Sequence, residues 1–316
     1  MGQRPLLVSK NLLRLWQSLP RDWSKEFCTG NQQKVNAGGH DIVITDDFIY
    51  KAEEGAFEGA VVVDVGHGVE GFKRYGFNSS GFRPSRAAAE CIDYLVCASE
   101  EEAELRLSAY GGTQKTVVLG YPKTDDLVNA KDIYFLPNDG IKRYLYLPTF
   151  RVIAKSKSDE FNPVNKVDWA AIDTELGDDE ELVIKRHSHD KTALEGEYRH
   201  IREVDPFMPT NSFIACADVC ICDYSSVMMD CYIAGKPVVL FPFDLDGYSK
   251  DRGMTLDYPD EYSSYCVASE SELVSMCREA AATGMRETEL KLRDRLASAC
   301  DGNSTERVVE FIKGLV

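Results

Sequence analysis

Residues 217–258 read ADVCICDYSSVMMDCYIAGKPVVLFPFDLDGYSKDRGMTLDY, and the succession of elements in this stretch decides the fold. The run 219–222 is short, apolar and rich in β-branched residues and cysteine, which reads as a buried strand. Asp223 and Tyr224 end it, Ser225 and Ser226 open an apolar segment, and Gly235 closes that segment. Serine at a helix start can satisfy orphan backbone N–H groups, and glycine just past the last turn is the usual stop. After Pro237, residues 238–241 form a second apolar run. Strand, helix and strand in this order predict a βαβ unit with parallel pairing. Open parallel sheets place ligands at the carboxyl ends of their strands, where Ser225 and Ser226 stand. Two hydroxyls beside free N–H groups suit a phosphate there, although an ordinary capped helix explains the same residues.

The same alternation runs through the rest of the chain. Residues 41–45, 60–65, 94–98 and 116–119 read as strands in the first half, and 144–147 and 181–185 in the second. Ser85 and Ser99 start helices between them, the latter an acidic one ending at Gly111-Gly112. The stretch 129–142, with Pro137-Asn138-Asp139-Gly140 near its end, reads as a linker. The expected architecture is therefore two α/β domains, residues 1–135 and 136–316, with a ligand cleft between them. Residues 4–23 space six leucines and Trp16 as in an amphipathic helix, with Lys10 and Arg14 between them. Residues 1–26 are thus expected to be a helical lead that docks on the body or touches an anionic membrane surface.

Composition narrows the function classes. With 316 residues, 44% hydrophobic and 28% charged, the chain suits folded domains rather than disorder. A net charge of −16 excludes broad nucleic-acid binding, which needs basic surface. No apolar run is long enough to span a bilayer and no signal peptide opens the sequence, so a cytoplasmic protein is expected. Ten scattered cysteines, without paired CxxC spacing, read as reduced thiols.

Two histidines follow strands, one in each half. His67 lies between Gly66 and Gly68, where glycines let the backbone approach a ligand and the imidazole can act as a general base. His187 stands in Lys185-Arg186-His187-Ser188-His189, which reads as an anion-facing cluster. A metal reading of His187 and His189 lacks the further histidine of an HxHxDH signature, because Lys191 follows Asp190. Arg151 and Arg252 are additional phosphate candidates. The P-loop, the GxSxG elbow and the Rossmann GxGxxG are all absent, which counts against nucleotide hydrolases, α/β-hydrolases and dehydrogenases.

Taken in order, these motifs resemble one family, the CDP-glycerol glycerophosphotransferases of teichoic acid and capsule synthesis. The set is Gly66-His67-Gly68 with Lys73-Arg74-Tyr75-Gly76, Gly120-Tyr121-Pro122-Lys123-Thr124-Asp125 and Leu147-Pro148-Thr149-Phe150-Arg151. Lys185-Arg186-His187, Asp223-Tyr224-Ser225-Ser226-Val227 with Asp230, Gly235-Lys236-Pro237, Arg252-Gly253 and Asp257-Tyr258 complete it. The resemblance implies a GT-B-like fold of two Rossmann-like domains, with a shortened first domain, since only about 60 residues precede the first motif. It implies transfer of glycerol phosphate, or a related polyol phosphate, from CDP-glycerol to a polyol-phosphate or glycolipid-linked acceptor. CMP would be released, no metal would be obligatory, and the protein would be peripheral at the membrane's inner face. By motif, His67 would activate the acceptor hydroxyl and His187 would sit by the donor phosphates. Arg151, Ser225 and Ser226 would hold the pyrophosphate, with Asp223, Asp230 and Arg252 on the donor side; His189 lies outside the motif. Val69-Glu70 replaces the family's usual Pro-Leu, and Gly66 its tryptophan-like position. A nucleotide-sugar glycosyltransferase or epimerase, or a binding protein with a degenerate site, are the alternatives.

Overall fold

A computed structural model describes residues 5–7, 12–27, 39–49, 54–70, 74–79, 84–129, 139–149, 167–188, 190, 193–245 and 256–315. Its contacts divide into two units. The first comprises residues 1–129, 251–255 and 294–316; the second comprises 130–250 and 256–293.

In the first unit, β1 (Pro5–Leu7), β2 (Glu26–Phe27), β3 (Ile42–Thr45), β4 (Val61–Asp64), β5 (Tyr94–Cys97) and β6 (Lys115–Val118) form one sheet, in the order β2-β1-β3-β4-β5-β6. Every pairing in it is parallel. Ile42–Thr45 is buried along its whole length, as expected of a parallel strand covered on both faces. Val43, Val62, Leu95 and Cys97 join Phe48, Ala103 and Tyr110 in the core of this unit. The helices are α1 (Leu13–Ser18), α2 (Arg86–Glu90), α3 (Glu100–Ala109) and α4 (Asp125–Val128). The serines expected to cap α2 and α3 do so: Ser85 Oγ accepts from Ala88 N at 3.1 Å and Ser99 Oγ from Glu102 N at 3.0 Å.

In the second unit, β7 (Lys142–Leu147), β8 (Glu180–Ile184), β9 (Ile201–Glu203), β10 (Val219–Cys222) and β11 (Val238–Leu240) form a parallel sheet in the order β11-β10-β7-β8-β9. Its helices are α5 (Trp169–Glu175), α6 (Thr210–Cys216), α7 (Val227–Ile233) and α8 (Leu273–Thr283). Tyr146, Trp169, Ile184, Ile221 and Phe241 lie at the centre of its core. Helix α7 ends as expected: Gly235 takes φ 72° and Lys236 N donates to Cys231 O at 2.9 Å, so the last turn closes on a left-handed glycine. α9 (Glu287–Ala297) starts in the second unit and ends in the first.

Three expectations change. The N-terminal lead is not one amphipathic helix: residues 5–7 join the first sheet and only Leu13–Ser18 is helical among the described residues. Leu19 is forced into extended backbone (ψ 151°) because Pro20 follows it, and the helix stops there. Its basic Arg14 is also engaged within the protein, donating to Thr305 Oγ1 at 3.0 Å and to the Asp126 carboxylate. The second domain does not run to residue 316, since α10 (Ser304–Lys313) belongs to the first unit. Asp125 accounts for this, its two carboxylate oxygens accepting from Ser304 N at 3.0 Å and Thr305 N at 2.7 Å and so capping a helix from far along the chain. The strand β9 was not read from the sequence; at three residues it is too short to show a period. The linker residues 130–138 lie outside the described residues.

Candidate active site

The carboxyl end of the first sheet is built around His67. Parallel pairing sets Thr45 beside Asp64, and Val65 N donates to Thr45 O at 2.8 Å, so the chain leaves β3 and β4 side by side. That brings the Asp46 carbonyl to 3.0 Å from His67 Nδ1. Gly66 is required between them: its φ is 68°, and a Cβ there would lie 2.6 Å from the Tyr121 ring. His67 as a residue is exposed, while its Nδ1 edge is turned into the loop against Asp46. Loss of water on that inner side lowers its basicity, but the carboxylates of Asp47, Glu70 and Asp46 outweigh that and Lys123, so the His67 pKa is raised. Asp47 moves with it, pushed up to about 6 by burial despite the attraction of His67.

Beneath this loop lies an ionic network that sequence reading missed. Asp64, Glu102 and Arg106 are all buried. Arg106 Nη2 pairs with Asp64 Oδ2 at 3.0 Å, and Tyr110 donates to the same carboxylate. Arg106 Nη1 donates to the Tyr121 hydroxyl at 3.2 Å, and Tyr121 in turn donates to Glu102. The two carboxylates hold backbone on either side of His67: Asp64 Oδ1 accepts from Gly66 N at 2.8 Å, and Glu102 Oε1 from Glu70 N at 3.3 Å. Burial pushes the Glu102 carboxyl up to about 7, against the pull of Arg106 and of its hydrogen-bond donors. One signal was legible: Asp64 ends an otherwise apolar strand, and Glu102, Arg106 and Tyr110 recur at four-residue spacing from α3 to the residue capping its C-terminus.

In the second unit, Asp223 is fully buried at the end of β10. Its Oδ1 accepts from Thr149 N at 2.9 Å and from Tyr224 N at 2.6 Å, and the Thr149 hydroxyl also donates to it. Asp223 therefore ties the turn after β7 to the turn after β10. Ser225 and Ser226 are half-buried at the start of α7. The expected serine cap is not made: Ser226 occupies the capping position in helical backbone without a side-chain cap bond, and Ser225 Oγ accepts only from Val227 N at 3.4 Å. Asp230 is buried on α7.

His187 is exposed after β8, where its carbonyl accepts from Asp190 N at 2.9 Å. The basic residues before it do not form an anion-facing cluster. Arg186 is buried and paired with Glu203 at 2.6 Å and Asp190 at 3.5 Å, and Lys185 Nζ donates to Pro206 O at 3.1 Å. They fasten the turn after β9 to the sheet, because a cation buried at a strand end needs acceptors that only neighbouring protein can offer. Arg151, His189 and Arg252 lie outside the described residues. Among the described residues, no group of three or more His, Cys, Asp or Glu could hold a metal ion, and no helix is long and apolar enough to cross a membrane.

The family model described as CDP-Glycerol:Poly(glycerophosphate) glycerophosphotransferase matches residues 39–314. The chain belongs to this family. Among curated relatives, it is 24% identical over 290 residues to the teichoic acid glycerol-phosphate transferase of Staphylococcus aureus (strain NCTC 8325 / PS 47), covering 85% of this chain and 74% of the relative. It is 30% identical over 184 residues to the teichoic acid poly(glycerol phosphate) polymerase of Staphylococcus epidermidis, which covers 54% of this chain and only 25% of that protein. A solved structure of the wall teichoic acid polymerase TagF superposes with a TM-score of 0.78 at 19% identity, over 99% of this chain and 89% of the other. The family member described here has the GT-B-like α/β fold that the order of its motifs implied.

Proposed function

We propose that the chain transfers glycerol phosphate, or a closely related polyol phosphate, from CDP-glycerol to a hydroxyl of a teichoic-acid or capsule-type acceptor. The observation that carries this reading is His67: exposed, at a strand's carboxyl end, with Nδ1 directed at a carbonyl. The acceptor oxygen attacks the β-phosphorus, and its proton passes to His67 Nε2. The bond between that phosphorus and the bridging oxygen breaks, and CMP leaves with the bridging oxygen and its electron pair. Such a transfer asks little covalent chemistry of the protein beyond positioning and charge compensation.

The second unit takes the donor. Ser225 and Ser226, whose hydroxyls are not committed to a helix cap, hold the pyrophosphate together with Arg151 and Arg252, and His187 lies by the donor phosphates. Asp223 is reassigned from direct donor contact to positioning, because its carboxylate is occupied by Thr149 and Tyr224. Asp230, buried on α7, stands on the donor side. Arginines, hydroxyls and backbone N–H groups supply the charge compensation, so no metal is an obligatory part of the scheme. The acceptor is a polyol phosphate or a glycolipid-linked primer, met by a cytoplasmic protein peripheral at the membrane. Arg14 adds nothing to that contact, being engaged with Asp126.

CMP release from CDP-glycerol in the presence of a glycerol-phosphate-primed acceptor tests the proposal. His67→Ala is expected to lower turnover by roughly 10²–10⁴-fold, the usual worth of a general base, with an unchanged melting curve. Undiminished CMP release by that variant removes His67 from the mechanism. Stronger thermal stabilisation by UDP-sugars than by CDP-glycerol overturns the donor assignment.

A further inference from the structure

The Asp46-Asp47 turn belongs to none of the motifs that assign the family, yet it is what His67 touches. A backbone carbonyl only accepts hydrogen bonds, so the 3.0 Å contact with Asp46 O requires the hydrogen on Nδ1. The neutral ring then carries its lone pair on Nε2, the nitrogen that a base must present. The contact follows from the parallel register of β3 and β4, which carries residues 46–47 and 66–67 out of the sheet as neighbours.

Asp47 is held by the same turn. Its Oδ1 accepts from Phe48 N at 2.7 Å, while Thr45 Oγ1 donates to its carbonyl at 2.8 Å. The charged groups facing His67 come from three places: Asp46 and Asp47 from the exit of β3, Glu70 from its own loop, and Lys123 from the turn after β6. Asp47 directly follows Asp46, whose carbonyl the ring meets, so its carboxylate belongs to the same turn, and its charge favours the protonated ring. Asp64, directly below, is already paired with Arg106.

We propose that the Asp46-Asp47 turn is the positioning element of the catalytic histidine, with the Asp46 carbonyl setting its tautomer and the Asp47 carboxylate compensating the imidazolium formed on proton transfer. This rests on the reading of His67 as the base. It assigns Asp47 a role in the rate of transfer and none in donor binding.

The test is Asp47→Asn, in which an amide oxygen can still accept from Phe48 N, with Asp47→Glu as the conservative partner. His67 is followed by NMR titration of the imidazole in the full chain, its signal identified by comparison with His67→Gln. In Asp47→Asn the His67 pKa is expected to fall. The acidic limb of the kcat profile moves to lower pH with it, kcat at the plateau drops roughly tenfold, and KM for CDP-glycerol stays unchanged. Asp47→Glu restores the titration and most of the rate. An unchanged His67 titration in folded Asp47→Asn overturns the proposal, as does a loss expressed in KM alone. The two readings fail separately: full CMP release by His67→Gln sinks the base assignment, while the titration still tests the coupling of Asp47 to the ring.

Discussion

Two turns, each leaving the carboxyl end of a central strand, are held by opposite means. Residues 64–70 of the first unit rest on a buried cation, Arg106, flanked by Asp64, Glu102, Tyr110 and Tyr121. Residues 223–226 of the second unit hang on a buried carboxylate, Asp223, which gathers N–H and O–H donors from Thr149 and Tyr224. In both, the ionised group that does the holding lies below the surface and the side chain offered to a ligand lies above it. An exposed imidazole is left free to exchange a proton, and half-buried hydroxyls are left free to bind. The difference lies in what disturbance each can survive. The first network depends on mutual neutralisation of several charges, whereas the second depends on one acceptor.

The largest effect expected from this contrast is that of Arg106→Met. It strands the Asp64 carboxylate in the core, at a cost of about 3–5 kcal/mol in urea denaturation, and loosens the backbone on both sides of His67. A loss below 1 kcal/mol would show that the network does not hold the loop. Asp223→Ala is expected to cost about 3 kcal/mol, because Thr149 N and Tyr224 N lose a buried acceptor. Its transferase defect should show mainly in the KM for CDP-glycerol, and a defect confined to kcat would contradict the division of labour between the turns.

The smallest expected effect separates the units by pH. In the folded state burial raises the Glu102 carboxyl from 4.5 to about 7, so the stability it contributes is present below pH 4.5 and is lost as pH rises through 7. Glu180 runs the other way. Hydrogen bonding to Arg278 lowers its carboxyl from 4.5 to about 2, so its contribution is present above pH 4.5 and is lost as pH falls to about 2. Melting curves of Glu102→Gln should gain on the parent chain between pH 4.5 and 7, whereas those of Glu180→Gln should fall below the parent above pH 4.5 and close on it as pH falls to about 2. A Glu102→Gln difference that does not vary across that window would mean Glu102 stays ionised throughout.

Much of this was legible in the amino-acid sequence because parallel strands buried on both faces are apolar runs, and such runs stand out at 42–45, 61–64, 94–97, 219–222 and 238–240. The serines before α2 and α3 were legible for an equally local reason, since a cap is a contact three residues long. The serines before α7 were misread as caps by the same rule, because the helix there begins from a turn in helical backbone. Arg186 was misread because a basic residue beside a histidine looks alike whether it meets a phosphate or Glu203.

By itself, then, the sequence determined the two α/β halves, the order of their motifs and hence the family, and the placement of His67, His187 and Ser225-Ser226 at strand ends. These depend on local periodicity, turn chemistry and residue order, which are properties of short stretches. Only the tertiary structure decided that residues 304–313 return to the first unit, that Asp223 holds Thr149, and that the Asp46 carbonyl stands against His67. Those contacts join residues from 21 to 180 positions apart. They are set by which strands pair and in what register, and no short stretch of chain encodes that.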